Sequence, residues 1–185
     1  IDLSVGAIMA VSGAVALTII DGSPTPHNLS VVALAIGVAV LVSLVLGAWN
    51  GFLVSVLGIQ PIIATLVLML AGRGIALLIT GGFITTVNSD PYKFMAQGYI
   101  FGFPFAFYVS LIAIAVVGFV ERRTALGVLT EAVGINPKAS HLAGVRSRGI
   151  IWGAYVASGA LAGIAGILYS SNIMAADANA AGLYI

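Results

Sequence analysis

The sequence predicts an all-α, polytopic membrane bundle, with about five transmembrane helices in a single domain covering residues 1–185. Three observations predict it. Hydrophobic residues make up 61% of the chain and charged ones only 7%, where a soluble domain carries about 25% charged residues. Mean hydropathy is +1.16. The 23 glycines suit helices that approach one another closely in lipid, where small residues set the packing. Seven Lys and Arg against six Asp and Glu cannot clothe a water-facing globule, which excludes a soluble enzyme. A net charge of +1 supplies no basic stripe for nucleic acid. With no cysteine, disulfides, thiolate metal sites and cysteine nucleophiles are excluded as well. The chain opens on Ile1 without a Met or a signal peptide and runs in ordered sequence to Ile185, so an internal piece of a longer protein is expected.

Five apolar stretches, at about 3–20, 30–48, 62–80, 104–120 and 150–170, reach the roughly 20 helical residues that cross a bilayer. None alternates as a barrel strand does, and an open sheet would leave its edges unpaired in lipid. The connections carry turn chemistry. Asp21 to Asn28 is polar and broken by Pro24 and Pro26. Gly51, after Trp49 and Asn50, is expected to close the second helix as a left-handed cap. Pro61 opens the third, where a missing N–H costs nothing. Residues 81–103 form a longer polar and aromatic excursion.

Five of the seven basic residues, Arg122, Arg123, Lys138, Arg146 and Arg148, lie between Glu121 and Gly149. The positive-inside bias therefore puts the 121–149 loop in the cytoplasm. Alternation then places 21–29, 81–103 and the tail after Ser171 outside, and 49–61 inside.

Within that loop, Asn136 can cap a helix whose first position is Pro137. Ala139, Leu142 and Ala143 then share one face, and Gly144 can end the helix. An isolated helix of two turns is marginal in water and needs a surface to pack on. That surface is either its own bundle or a cytoplasmic partner that receives the apolar knob. Arg73 is the twelfth residue of the third span, about 18 Å along it. An embedded charge either snorkels, pairs with a carboxylate such as Asp90, or lines a cavity. Gly72 and Gly74 beside it let backbone or ligand approach. Asp2 and Ser4 open the first helix, where either can accept from first-turn amides. Gly159 and Gly163 form a small-xxx-small packing pair. His27 and His141 have no second ligand at metal spacing, and no phosphate loop or nucleophile elbow is present. No metal, cofactor or catalytic residue is expected, and ATP hydrolysis is not this chain's own work.

The segments Ile1-Asp2-Leu3-Ser4-Val5-Gly6, Gln60-Pro61-Ile62-Ile63-Ala64-Thr65-Leu66, Ala71-Gly72-Arg73-Gly74-Ile75-Ala76, Glu131-Ala132-Val133-Gly134-Ile135-Asn136 and Ala143-Gly144-Val145 resemble the permease subunits of bacterial ABC sugar importers of the ribose, xylose and galactofuranose group. Residues 176–182, Ala-Asp-Ala-Asn-Ala-Ala-Gly, most resemble the galactofuranose branch. The resemblance covers essentially the whole chain, and members of the family are longer at both ends. It implies a multi-pass protein of the bacterial inner membrane that moves a monosaccharide by alternating access. It further implies a separate ATP-binding cassette subunit, a periplasmic sugar-binding protein and a second permease chain. The coupling segment would comprise Glu131, Gly134, Asn136, Pro137, Ala139, Leu142, Ala143 and Gly144. Asp2, Ser4, Arg73, Asp177 and Asn179 become candidates for the translocation path.

The competing class is an ion-coupled secondary sugar carrier. Such a carrier needs midplane carboxylates, and Asp2, Asp21 and Glu121 all fall at span ends. A topology reporter inserted at Ser140 is expected to read cytoplasmic, and one at Asn28 or Ser89 periplasmic. A periplasmic signal at Ser140 would reverse the orientation.

Overall fold

A computed structural model describes residues 1–176. Its elements are α1 (Val5–Asp21), α2 (Leu29–Ser55), α3 (Pro61–Ile79), β1 (Thr85–Thr86), α4 (Asp90–Gln97), β2 (Tyr99–Ile100), β3 (Phe103–Pro104), α5 (Phe105–Arg123), α6 (Ala125–Ile135), α7 (Pro137–Leu142), α8 (Ser147–Ile173) and β4 (Ala175–Ala176). Among the described residues four helices, α2, α3, α5 and α8, are long and apolar enough to cross a membrane. The fifth expected span, α1, has 17 residues and measures about 25 Å at 1.5 Å per residue.

Lipid reverses the usual sense of an amphipathic helix, because large apolar side chains cover the outside and small ones face the inside. In α2 the buried residues are Val32, Ala35, Ala39, Ser43, Gly47, Asn50, Gly51 and Ser55. Their spacing traces a single stripe, while Leu34, Leu41, Val45 and Trp49 stand more than half exposed. That stripe meets its counterpart on α8. A β-carbon on Gly159 would lie 2.7 Å from the Ser43 carbonyl and 2.8 Å from the Gly47 Cα, so the two backbones touch where these glycines cross. Ser43 lies against Gly163, Gly47 against Gly159 and Gly51 against Trp152. The order descends along one helix as it rises along the other, so α2 and α8 are antiparallel.

Helix α1 lies along the same rod in the opposite sense to α2. Asp2 bonds Ser158, Ser12 abuts Gly166 and Gly13 abuts Ser170, which makes α1 and α8 parallel. Ile8, Leu68 and Ala162 form one apolar cluster, and Gly72 of α3 packs against Ala7. The main core gathers Val11, Leu17, Ile20, Val32, Ala76, Tyr92 and Ile167. Helix α5 has no buried residue and stands beside α4 and α6, outside this core.

The structure corrects the expected cap at Gly51. Helix α2 runs on to Ser55, and the left-handed glycine is Gly58, at φ +71°. Gly51 is glycine for room: a β-carbon there would sit 2.9 Å from the Trp152 ring and 3.0 Å from its carbonyl. The 121–149 loop is also more ordered than a charged connection suggests. Helix α5 extends through Arg123, and α6 and α7 occupy most of the stretch between it and α8.

Gly159→Ala forces two backbones apart and is expected to cost about 1–3 kcal/mol. At Gly153 a β-carbon meets nothing within 4 Å, so Gly153→Ala should stay within about 0.5 kcal/mol of wild type. Thermal unfolding of the purified protein in detergent distinguishes the two. Equal midpoints for both variants would show that the α2–α8 crossing is looser than described.

Candidate functional site

At the expected cytoplasmic end, α6 and α7 form one braced unit. Thr124 caps α6 by accepting from the Leu126 amide at 3.3 Å. The Asn136 carboxamide oxygen accepts from the Lys138 and Ala139 amides at 3.1 and 3.0 Å, and Pro137 occupies the first helical turn. Ser140 Oγ donates to the Ala132 carbonyl at 2.9 Å, and Ser147 Oγ donates to the Pro137 carbonyl at 3.0 Å. These two bonds fasten α7 to α6 on one side and to the start of α8 on the other. Gly144, at φ +88°, turns the chain between them in a backbone conformation that glycine adopts without strain. The outward surface carries all eight residues expected there: Glu131, Gly134, Asn136, Pro137, Ala139, Leu142, Ala143 and Gly144 are exposed. Leu142 is 88% exposed and Ile135 80%. The apolar face of α7 therefore points away from its own bundle.

At the opposite end three connections meet. Ser89 Oγ donates to the Pro26 carbonyl at 2.6 Å, and His27 Nδ1 lies 3.4 Å from the Asp90 carboxylate. Asp90 thus sits beside His27; among the described residues Arg73 has no ion pair and no hydrogen-bonding partner. Helix α4 folds back onto the end of α8. The Tyr92 hydroxyl lies 2.7 Å from Ser170 Oγ, Ser171 Oγ donates to the Tyr92 carbonyl at 2.6 Å, and Gln97 Nε2 donates to the Asn172 carbonyl at 2.8 Å. Tyr92 is fully buried, and that burial pushes its phenol up to about 12 against the opposing effect of the Ser170 bond. Strands β1 and β4 pair antiparallel, Thr85 opposite Ala176 and Thr86 opposite Ala175. The 81–103 excursion and the segment after α8 are thereby sewn together. Asp177 and Asn179 lie outside the described residues.

Between the two ends lies a polar knot. The Asp2 carboxylate accepts from the Ser4 amide at 3.0 Å, from Ser4 Oγ at 2.6 Å and from Ser158 Oγ at 2.8 Å. Asn50 Nδ2 donates to Ser4 Oγ at 2.8 Å. The expected helix cap takes a different form, because Ser4 makes no side-chain capping bond and Asp2 reaches only the Ser4 amide, short of the helix proper. Asn50 and Ser158 are not singled out by sequence reasoning. A carboxamide within an apolar 27-residue helix is the signal that could have found Asn50, since buried polar groups in lipid keep partners or functions. Arg73 is half-buried on α3, next to the Gly72–Ala7 contact.

Residues 1–185 match, along their whole length, the family described as the permease component of the branched-chain amino acid transport system. The chain belongs to that family, and is a multi-pass protein of the inner membrane. It is 45% identical over 188 residues to the galactofuranose transporter permease of Escherichia coli, covering all of this chain and 52% of that one. It is 42% identical to the fructose import permease of Bifidobacterium longum, over 96% of this chain and 49% of that one. A ribose import permease of Haemophilus influenzae is 32% identical, over 97% and 55%. The chain thus spans about half the length of these relatives. No solved structure matches it.

The latch of α4 on α8 makes a prediction. Tyr92→Phe loses the hydroxyl contacts but leaves Ser170 Oγ bonded to the Ile167 carbonyl, and should cost about 0.5–1.5 kcal/mol. Tyr92→Ala empties a core position and should cost about 3–5 kcal/mol. Chemical denaturation of the purified protein measures both, and an Ala variant as stable as wild type would remove the latch.

Proposed function

We propose that the chain is the membrane-spanning part of an ABC-type importer permease that carries a monosaccharide across the inner membrane by alternating access. The observation that carries this reading is the α6–α7 unit: a rigid, hydrogen-bonded platform whose apolar residues, led by Leu142, face away from the bundle. Leaving such a face in water is unfavourable, and a groove on an ATP-binding subunit is the partner that gives it a task. The sugar class rests on the three relatives, whose names specify galactofuranose, fructose and ribose. At 45% identity galactofuranose or a related sugar is the first candidate.

In this reading, closure of two ATP-bound subunits pulls α7, and α7 moves with α8 through the Ser147–Pro137 bond. A ligand-driven change of this kind requires the nucleotide-bound and free states to hold the knob differently. A periplasmic binding protein docks over the surface made by α4 and the β1–β4 pair. A second permease chain completes the pore. Asp2, Ser4 and Arg73 line the path through the membrane, Arg73 offering its planar fork to hydroxyls.

Leu142→Asp places a charge where an apolar groove is expected. Burying it unpaired should cost about 2–4 kcal/mol, roughly a thirtyfold to near thousandfold loss of association. The permease should still insert at normal levels, while co-purification of the ATP-binding subunit and sugar-stimulated ATP hydrolysis are lost. Intact co-purification and uptake in Leu142→Asp would rule out α7 as the coupling element.

A further inference from the structure

The β2–β3 hairpin carries a turn that its own side chain disfavours. Ile100 faces Phe103 across the strand pair, so Phe101 and Gly102 form a two-residue loop. Both have positive φ, +49° and +84°, the combination for which Asn followed by Gly is the favoured sequence. A bulky residue at positive φ is an outlier, and strain of this kind points from structure to function. Packing inside the protein does not account for it, because Phe101 is 95% exposed. Tyr99 and Phe103 beside it are exposed as well, and Phe103 stacks on the exposed Phe107 with ring centres 5.3 Å apart.

The depth of this aromatic tip follows from the covalent chain. Strand β3 runs directly into α5. The hairpin is fixed on that helix by two bonds: the Tyr108 hydroxyl donates to the Ile100 carbonyl at 2.9 Å, and the Phe105 amide donates to the Gly98 carbonyl at 2.8 Å. Helix α5 is uncharged from Phe105 to Val120 and then meets Glu121, Arg122 and Arg123. The uncharged part measures about 24 Å at 1.5 Å per residue, against a hydrocarbon core of about 30 Å. A span shorter than the core is accommodated partly through its flanking residues. No charged residue lies between Lys93 and Glu121, so the flank that makes up the length is the aromatic hairpin.

We infer that the β2–β3 hairpin is an interfacial anchor, which seats Phe101, with Tyr99 and Phe103, in the headgroup–acyl boundary of the leaflet opposite the 121–149 loop. Aromatic side chains favour that zone. The inference goes beyond the transport reading and stands without it. A lipid surface fits this tip better than a soluble protein does. A face that meets a soluble partner only part of the time is bounded by a polar rim, whereas the tip here is a run of rings with no charge. The hairpin also continues a surface that already faces lipid, since α5 buries no residue. The anchor reaches α4 too: Phe94, near the end of that helix, packs on Phe105 with ring centres 5.7 Å apart. One end of α4 is thereby tied to the membrane surface, while Ser89 and Tyr92 tie the rest to the bundle.

The test uses the full-length permease in nanodiscs of phosphatidylethanolamine and phosphatidylglycerol. Residues 1–185 contain no cysteine, so Phe101→Cys, with any cysteine elsewhere in the chain replaced by serine, takes a single nitroxide label. Collision with oxygen, which concentrates in lipid, is compared with collision with a water-soluble nickel chelate. Ile114→Cys, on the exposed surface of α5, supplies the lipid reference, and Thr25→Cys, in a polar connection, the water reference. The oxygen-to-nickel ratio at Phe101→Cys is expected to exceed that of Thr25→Cys severalfold and to fall short of that of Ile114→Cys. If Phe101→Cys fails to accumulate, Tyr99→Cys carries the same comparison. Adding Phe101→Asn, whose side chain suits the turn but not the boundary, should then lower the ratio at Tyr99→Cys severalfold. A water-like ratio would overturn the anchor, and nickel collisions lost only on adding a periplasmic sugar-binding protein would assign the hairpin to that protein instead. A label that meets neither reagent would show the tip covered by protein, which overturns the proposal as well.

Discussion

The close crossing of α2 and α8 at Gly47 and Gly159 is the constraint on which the other arrangements depend. With no hydrophobic driving force between helices in lipid, contact must come from packing and hydrogen bonding. Glycine at both positions removes the side chains that would otherwise hold the backbones apart. That approach brings Ser43 against Gly163 and Trp152 over Gly51, where the indole Nε1 donates to the Ala48 carbonyl at 3.1 Å. The groove beside this pair is where α1 lies, with Ser12 against Gly166 and Gly13 against Ser170. A larger residue at Gly47 or Gly159 would therefore shift α2, and with it the register that sets Asn50 beside Ser4.

The two ends of the molecule are built by different means. At the α6–α7 end, serine hydroxyls and an asparagine cap tie short helices into a firm unit while its apolar residues remain outside. At the other end a buried tyrosine, two serines and a two-residue strand pair clamp a folded-back helix onto the bundle. Between them lies the polar knot around Asp2, whose carboxylate is compensated by hydroxyls and an amide, with no basic side chain paired to it among the described residues. Arg73 lies one residue beyond the Gly72–Ala7 contact, with no carboxylate partner among the described residues.

How much could be read in advance depended on whether the feature was local. The apolar runs that became α2, α3, α5 and α8 were legible because length and hydropathy are properties of a single segment. The cap at Asn136 was legible for the same reason: Asn followed by Pro acts on its own next turn. Gly51 misled because a glycine for close approach and a glycine for a left-handed turn are identical in sequence, and only Trp152, a hundred residues away, separates the two. Helix α4 was hidden within a polar, aromatic stretch whose eight residues show no apolar run of membrane length. Its anchor, Tyr92, is held by Ser170 and Ser171 on a distant helix.

Helix α8 runs unbroken for 27 residues, about 40 Å. At its lower end it is bonded to α7 through Ser147, and at its upper end it carries β4 and the residues that grip α4. A rod joined at both ends behaves as a lever: a tilt imposed at one end reappears at the other with no relay of side-chain rearrangements between them. Its natural pivot is the glycine crossing with α2, where the two helices are nearest and neither can slide without collision. Opposite displacements above and below that pivot follow from stiffness alone.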